Sequence, residues 1–200
     1  MLTLYTHPMS RGRMARWMLE ELGQPYETVV LDYATTMKAP AYLAINPMGK
    51  VPAVVHDGHV VTEVAAICTY LADAFPEAGL LPKDKAAFYR WMFFGAGPIE
   101  QAVTNTALGW VPKPDQERRT GYGTLDRVVS TLTTHLAARP FICGETFSAA
   151  DVFVGAQIGW GLSFGTMPGN DTLTSYWQRI ATRPALARAN AADDALIKGH

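Results

Sequence analysis

The sequence predicts a two-layer α/β domain over residues 1–78, a short linker at 79–85, and an all-helical domain over 86–200. Three observations predict this division. Strand-like and helix-like patterns alternate through the first 78 residues, and elements in that order pack most economically as an α/β layer pair. Strand patterns then fade from Ala86 onward. The charge also changes, from five basic and eight acidic residues before position 79 to twelve basic and ten acidic after it.

The elements follow in order. Leu2 to Thr6 alternates apolar and polar residues, as a short strand does, and His7-Pro8 ends it. Met14, Trp17, Met18 and Leu22 then lie on one helical stripe, stopped by Gly23 and Pro25. Glu27 to Leu31 reads as a second strand, and residues 32–50 read mostly as loop. Val51 to Val55 and His59 to Thr62 flank Asp57-Gly58, a hairpin signature because both turn residues need φ > 0. Ile67, Tyr70, Leu71 and Ala74 repeat at helical spacing up to Phe75-Pro76.

Beyond the linker, 86–108 reads as a helix that Pro98 should kink or break. Residues 116–138 read as one long helix with Leu125, Val128, Val129, Leu132 and Leu136 on its apolar stripe. Ser148 and Asp151 form a close variant of the capping box at the start of an apolar helix, with Phe147 and Val152 at the staple positions. A last helix spans 177–190 and is interrupted at Pro184.

Composition narrows the function. Of 200 residues, 48% are hydrophobic and 18% charged, an ordinary globular balance. With Lys plus Arg at 17 and Asp plus Glu at 18, the net charge of −1 gives no global attraction to nucleic acid. No apolar run approaches the ~18 residues of a membrane span, and the N-terminus lacks a signal-peptide pattern, so a cytoplasmic location is expected. Cys68 and Cys143 are the two cysteines; they form no CxxC, which leaves neither a disulfide framework nor a cysteine zinc site. His56 and His59 face each other across the hairpin without a third ligand, and His135 and His200 have no partner in sequence, so no metal is expected.

Four stretches carry a resemblance. They are Tyr5-Thr6-His7-Pro8-Met9-Ser10-Arg11, Asn46-Pro47-Met48-Gly49-Lys50-Val51-Pro52, Thr62-Glu63-Val64-Ala65-Ala66-Ile67, and Phe147-Ser148-Ala149-Ala150-Asp151. In this order and spacing the chain resembles the glutathione S-transferases over nearly its whole length. The resemblance implies a thioredoxin-like N-terminal domain plus an all-α C-terminal domain. It also implies glutathione as co-substrate, a small electrophilic substrate, and a two-fold homodimer.

It further implies roles for particular residues. Ser10 stands where serine- or cysteine-type members keep their catalytic residue, and its plain alternative is a helix N-cap. Tyr5 is the competing hydroxyl, but Arg11-Gly12-Arg13 lies six residues after it rather than four. Arg11 is a further candidate, as a cation near the sulfur. Lys38 and Lys50 are candidates for the glycine carboxylate of glutathione. Val51-Pro52 corresponds to the family's cis peptide, which turns backbone toward the cysteinyl unit. Glu63-Val64 corresponds to the pair that holds the γ-glutamyl group, with the hydroxyl of the usual serine missing.

The chemistry is feasible. A free thiol of pKa about 8.5 is only about 3% ionised at pH 7. Lowering it by two units takes roughly 2.7 kcal/mol, while a hydrogen bond to a charge contributes about 1.5–3 kcal/mol. One hydroxyl at a helix start therefore supplies most of the shift. A thioredoxin-type redox enzyme is excluded at this turn, because His7-Pro8-Met9-Ser10 holds no cysteine. The alternative reading is a non-catalytic binding protein on the same fold, or a glutathione-dependent isomerase, dehalogenase or peroxidase. Met9, Phe93, Phe94, Trp110, Trp160 and Phe164 are candidates for an apolar substrate pocket.

Overall fold

A computed structural model describes residues 1–198, and His200 lies outside them. The chain forms two units, one joining 1–79 with the chain from Thr182 on, the other Leu80–Ala181.

In the first unit, strands β1 (Leu2–Thr6), β2 (Tyr26–Val30), β3 (Ala53–His56) and β4 (His59–Thr62) form one mixed sheet in the order β2-β1-β3-β4. β1 and β2 are parallel, joined across helix α1 (Gly12–Leu22), and the other pairs are antiparallel. The β3–β4 turn has φ 48° at Asp57 and 84° at Gly58, the conformation its two residues signalled. Leu2, Leu4 and Thr6 are buried and alternate with half-buried neighbours along β1. Trp17 and Met18 of α1 are buried too, as are Ile67 and Leu71 of helix α3 (Val64–Ala74).

Residues 32–50, read mostly as loop, contain a 3₁₀ turn at Thr36–Lys38 and the short helix α2 (Pro40–Leu43). Helix α9 (Pro184–Lys198) belongs to this unit, whereas the sequence reading assigned all of 86–200 to the helical part. The reason is electrostatic as well as apolar. Arg16 on α1 meets Asp193 on α9 at 2.9 Å, both buried, and Glu21 and Glu20 take Arg183 and Arg188.

The second unit is helical. Helix α4 (Lys85–Phe94) continues through a π-turn at Gly95–Ile99 into α5 (Glu100–Ala107). Pro98 is thus absorbed by a wider turn rather than breaking the helix. The long helix expected over 116–138 is shorter. α6 spans Leu125–Ala137 because the Thr124 hydroxyl caps it, accepting from Arg127 N at 3.2 Å. Helix α7 (Ala149–Phe164) starts at the expected capping box. It packs on α8 (Asp171–Ala181), where a Cβ at Gly159 would lie 2.6 Å from Trp177. The expected 177–190 helix is really the end of α8 and the start of α9, separated before Pro184.

Candidate functional site

The sheet register gathers the singled-out residues at one end. Tyr5 pairs with Ala53, and Ala53 with Thr62. The chain leaving β1, the chain entering β3 and the chain leaving β4 therefore emerge side by side. His7 to Ser10, Val51-Pro52 and Glu63-Val64 follow directly from those three ends.

The turn between β1 and α1 is held by its carbonyls. The Ser10 hydroxyl donates to His7 O at 2.7 Å, Arg13 Nε donates to Pro8 O at 2.6 Å, and the Tyr33 hydroxyl donates to Met9 O at 2.9 Å. Met9 N donates to His7 Nδ1 at 3.1 Å, and the His7 ring lies 4.3 Å from that of Tyr33. Ser10 Oγ also accepts from Gly12 N at 2.9 Å, satisfying one of the unpaired amides at the helix start. The half-buried Ser10 hydroxyl thus accepts at the helix start, and its single hydrogen goes to His7 O.

Gly12 is required here by space. A Cβ would stand 1.9 Å from Thr6 Oγ1, a fully buried hydroxyl with no hydrogen-bond partner among the described residues. This close approach seats the first turn of α1 on the end of β1. Arg11 is exposed at the N-cap position and its side chain does not cap the helix.

Tyr5 alternates with Thr6 and so projects from the opposite face of the sheet. Its ring packs against the cluster of Leu31, Met37, Tyr42 and Ala53, 5.6 Å from the Tyr42 ring. The structure therefore places Tyr5 and Ser10 in different settings, one in an apolar cluster and one at a helix start.

Asn46 organises the second stretch. Its buried side chain accepts from Met48 N at 3.1 Å and donates to Lys50 O at 2.8 Å, which also accepts from the Tyr42 hydroxyl at 2.6 Å. Burial raises the Tyr42 pKa, so that hydroxyl stays a donor. The Lys38 ammonium donates to Gly49 O, and Lys50 is exposed. This turn delivers Val51 and the buried Pro52, whose peptide bond is cis.

Glu63 begins α3 with φ 66° and ψ 121°, a conformation that costs a non-glycine residue of order 1–3 kcal/mol. Its side chain is exposed, its carbonyl accepts from Ile67 N at 2.8 Å, and the neighbouring Val64 is buried. One carboxylate and one helix start thus adjoin the Val51-Pro52 backbone, with Lys50 just before it. Such an arrangement offers one anionic group, one cationic group and unpaired amides to a ligand of mixed charge.

The models of the glutathione S-transferase N-terminal and C-terminal domains match residues 1–73 and 115–160. A glutathione S-transferase of Xanthomonas campestris is 29% identical over 192 residues, covering 90% of this chain and 92% of its own. Glutathione S-transferase 3 of Schizosaccharomyces pombe is 31% identical, covering 76% of this chain and 70% of its own. The structure of a sphingomonad glutathione S-transferase complexed with glutathione superposes with a TM-score of 0.77 at 28% identity, covering 96% and 98% of the two chains. The chain belongs to the glutathione S-transferase family.

Within that family setting, the remaining sequence candidates fall into place. Ser148 and Asp151 form a capping box inside the second unit. Cys68 is fully buried, which pushes its thiol pKa up to about 12, so it is no nucleophile. His56 pairs with His59 as expected, but its Nδ1 is taken by the Tyr70 hydroxyl at 2.9 Å. Among the described residues no three His, Cys, Asp or Glu side chains gather as a metal requires, and no helix is long and apolar enough to cross a membrane. Of the apolar candidates, Met9, Phe93, Trp110 and Phe164 are exposed. Tyr33, Arg13 and Asn46, which hold the two turns, were not foreseen. Asn46 lay in a stretch marked as a turn, while nothing local marks Tyr33.

Proposed function

We propose that this glutathione S-transferase family member binds reduced glutathione in its first unit, ionises the thiol at Ser10 and the start of α1, and transfers it to a small electrophilic apolar compound. The observation that carries this reading is the turn from His7 to Gly12. It presents a hydroxyl at a helix N-terminus, in a fold superposable on a relative complexed with glutathione. The thiolate accepts from Ser10 and gains from the helix dipole. Glu63 takes the γ-glutamyl amine, the backbone of Val64 its carboxylate, the backbone at Val51-Pro52 the cysteinyl unit, and Lys50, with Lys38 behind it, the glycine carboxylate. Tyr5 supports the Val51 backbone through packing, and Arg11 adds positive potential at the helix start. Activation and positioning of the nucleophile do the catalytic work, a chemistry suited to detoxification in the cytosol.

Titration with reduced glutathione, following heat and thiolate ultraviolet absorbance together, tests this reading. The expected result is millimolar or tighter binding with thiolate present at neutral pH. Ser10→Ala raises the pKa of the bound thiol by about one to two units while glutathione still binds. Binding without thiolate supports instead the non-catalytic reading, and no binding at all sinks both.

The same proposal includes a homodimer. Arg90, Arg127 and Arg139 line one groove along α4 and α6 and have no ion-pair partner among the described residues. A second copy offering its acidic N-terminal part supplies the counter-charge. Sedimentation equilibrium then gives a dimer weakened by Arg127→Glu, and a monomer at every concentration rejects this part.

A further inference from the structure

The three carbonyls of the Ser10 turn are not held alike. The donor to His7 O is Ser10 itself, inside the turn, and the donor to Met9 O is the exposed Tyr33. The donor to Pro8 O is Arg13, whose Nε lies 2.6 Å away while its Nη2 reaches Asp194 Oδ1 on α9 at the same distance. The Arg13 side chain is 22% exposed and that of Asp194 56%. A planar guanidinium bonded along one fork at each end cannot rotate without breaking one bond. Pro8 lies two residues before Ser10, so turning its peptide plane moves the serine.

We infer that α9 positions the Ser10 turn through Arg13, making Arg13 and Asp194 positioning residues for thiol ionisation. The inference rests on the glutathione reading above. Other α1–α9 pairs, such as Arg188 with Glu20 at 2.8 Å, join the same two helices without touching the turn. They give the control. When Asp194 loses its carboxylate, Arg13 swings free, Pro8 O loses its fixed donor, and the Ser10 hydroxyl is less often aligned with the sulfur.

The test uses the full chain and the variants Asp194→Ala, Arg13→Lys and Arg188→Ala. The readouts are the pKa of bound glutathione thiol from its ultraviolet absorbance, kcat and KM against pH with a model electrophile, and amide exchange at Met9 and Gly12. Asp194→Ala and Arg13→Lys are expected to raise the bound-thiol pKa and to lower kcat near neutral pH about 3- to 10-fold. That loss recovers at higher pH, KM for glutathione changes little, and the Met9 and Gly12 amides exchange faster. Asp194→Glu, which keeps a carboxylate for Arg13, stays close to the unaltered protein in all three readouts. Arg188→Ala leaves the thiol pKa and those amides as in the unaltered protein.

An unchanged thiol pKa and unchanged exchange in Asp194→Ala overturn the inference, as does an equal shift in Arg188→Ala, which makes α9 a mere strap. If the unaltered protein forms no thiolate, the glutathione reading fails separately. Amide exchange then still reports whether Asp194 governs the turn.

Discussion

Asp151 in the second unit and Asp193 in the first are both fully buried, yet donors reach them in different ways. Asp151 Oδ1 accepts from Ile142 N at 2.7 Å and from the Tyr176 hydroxyl at 2.9 Å. Its Oδ2 accepts from Ser148 N at 2.9 Å and Ser148 Oγ at 3.0 Å. Asp193 Oδ1 has Arg16 Nε at 2.9 Å, while Oδ2 and Arg16 Nη2 are buried without partners among the described residues. Burial pushes both carboxyl pKa values up; hydrogen bonds oppose this for Asp151, and mainly the Arg16 charge opposes it for Asp193. One aspartate is anchored by two backbone amides and two hydroxyls from three different residues, so no single side chain holds it. The other is anchored by a single side chain, which can be replaced together with it.

The largest effect follows from that contrast. Asp151→Ala leaves two amides and two hydroxyls without their acceptor, at a cost of roughly 3–5 kcal/mol. Urea unfolding measures it, and a loss under about 1 kcal/mol means that water or neighbouring groups already serve those donors.

Arg16→Met comes next. It removes the hydrogen-bonding partner of the buried Asp193 carboxylate and costs roughly 3 kcal/mol. The double change Arg16→Met with Asp193→Leu is expected to lie within about 1 kcal/mol of the starting protein, since a buried pair is often replaceable by apolar residues of similar size. A double-mutant cycle reads the difference. If the double variant is as unstable as Arg16→Met alone, the two anchors are not different in kind.

The same contrast explains what the sequence disclosed. Ser148 and Asp151 lie three residues apart, and the spacing carries their geometry, so the capping box was legible. Asp193 lies 177 residues from Arg16, and no local pattern links them, which is why the pairing of α9 with α1 has no signal in the sequence. The candidate site divides along the same line. Ser10, Val51-Pro52 and Glu63 were found because each sits in a short stretch with its own pattern. Tyr33 and Arg13 were missed because they act on a turn built from other residues. The long helix expected over 116–138 failed for a third reason. Its charged first part offers no apolar stripe, and the Thr124 cap begins the true helix later.

The smallest expected effect concerns the other side of the Asp151 anchor. Ile142, whose amide Asp151 accepts, presents its carbonyl to His135 Nε2 at 2.8 Å. Burial chiefly, with Arg139 and Arg90 nearby, holds the His135 pKa below its usual value, against the Ile142 carbonyl that favours the charged ring. The folded protein then binds this proton less readily than the unfolded chain. The stability His135 contributes is complete above the ordinary value of about 6.5 and is lost as the pH falls from there through the lowered folded value. His135→Gln removes that slope. Urea midpoints of the two proteins, compared between about pH 7.5 and pH 5.5, should show the unaltered protein losing more on acidification. Parallel midpoints would mean that the ring takes up its proton at no cost. The Ile142 link between α6 and Asp151 would then carry no pH dependence over this range.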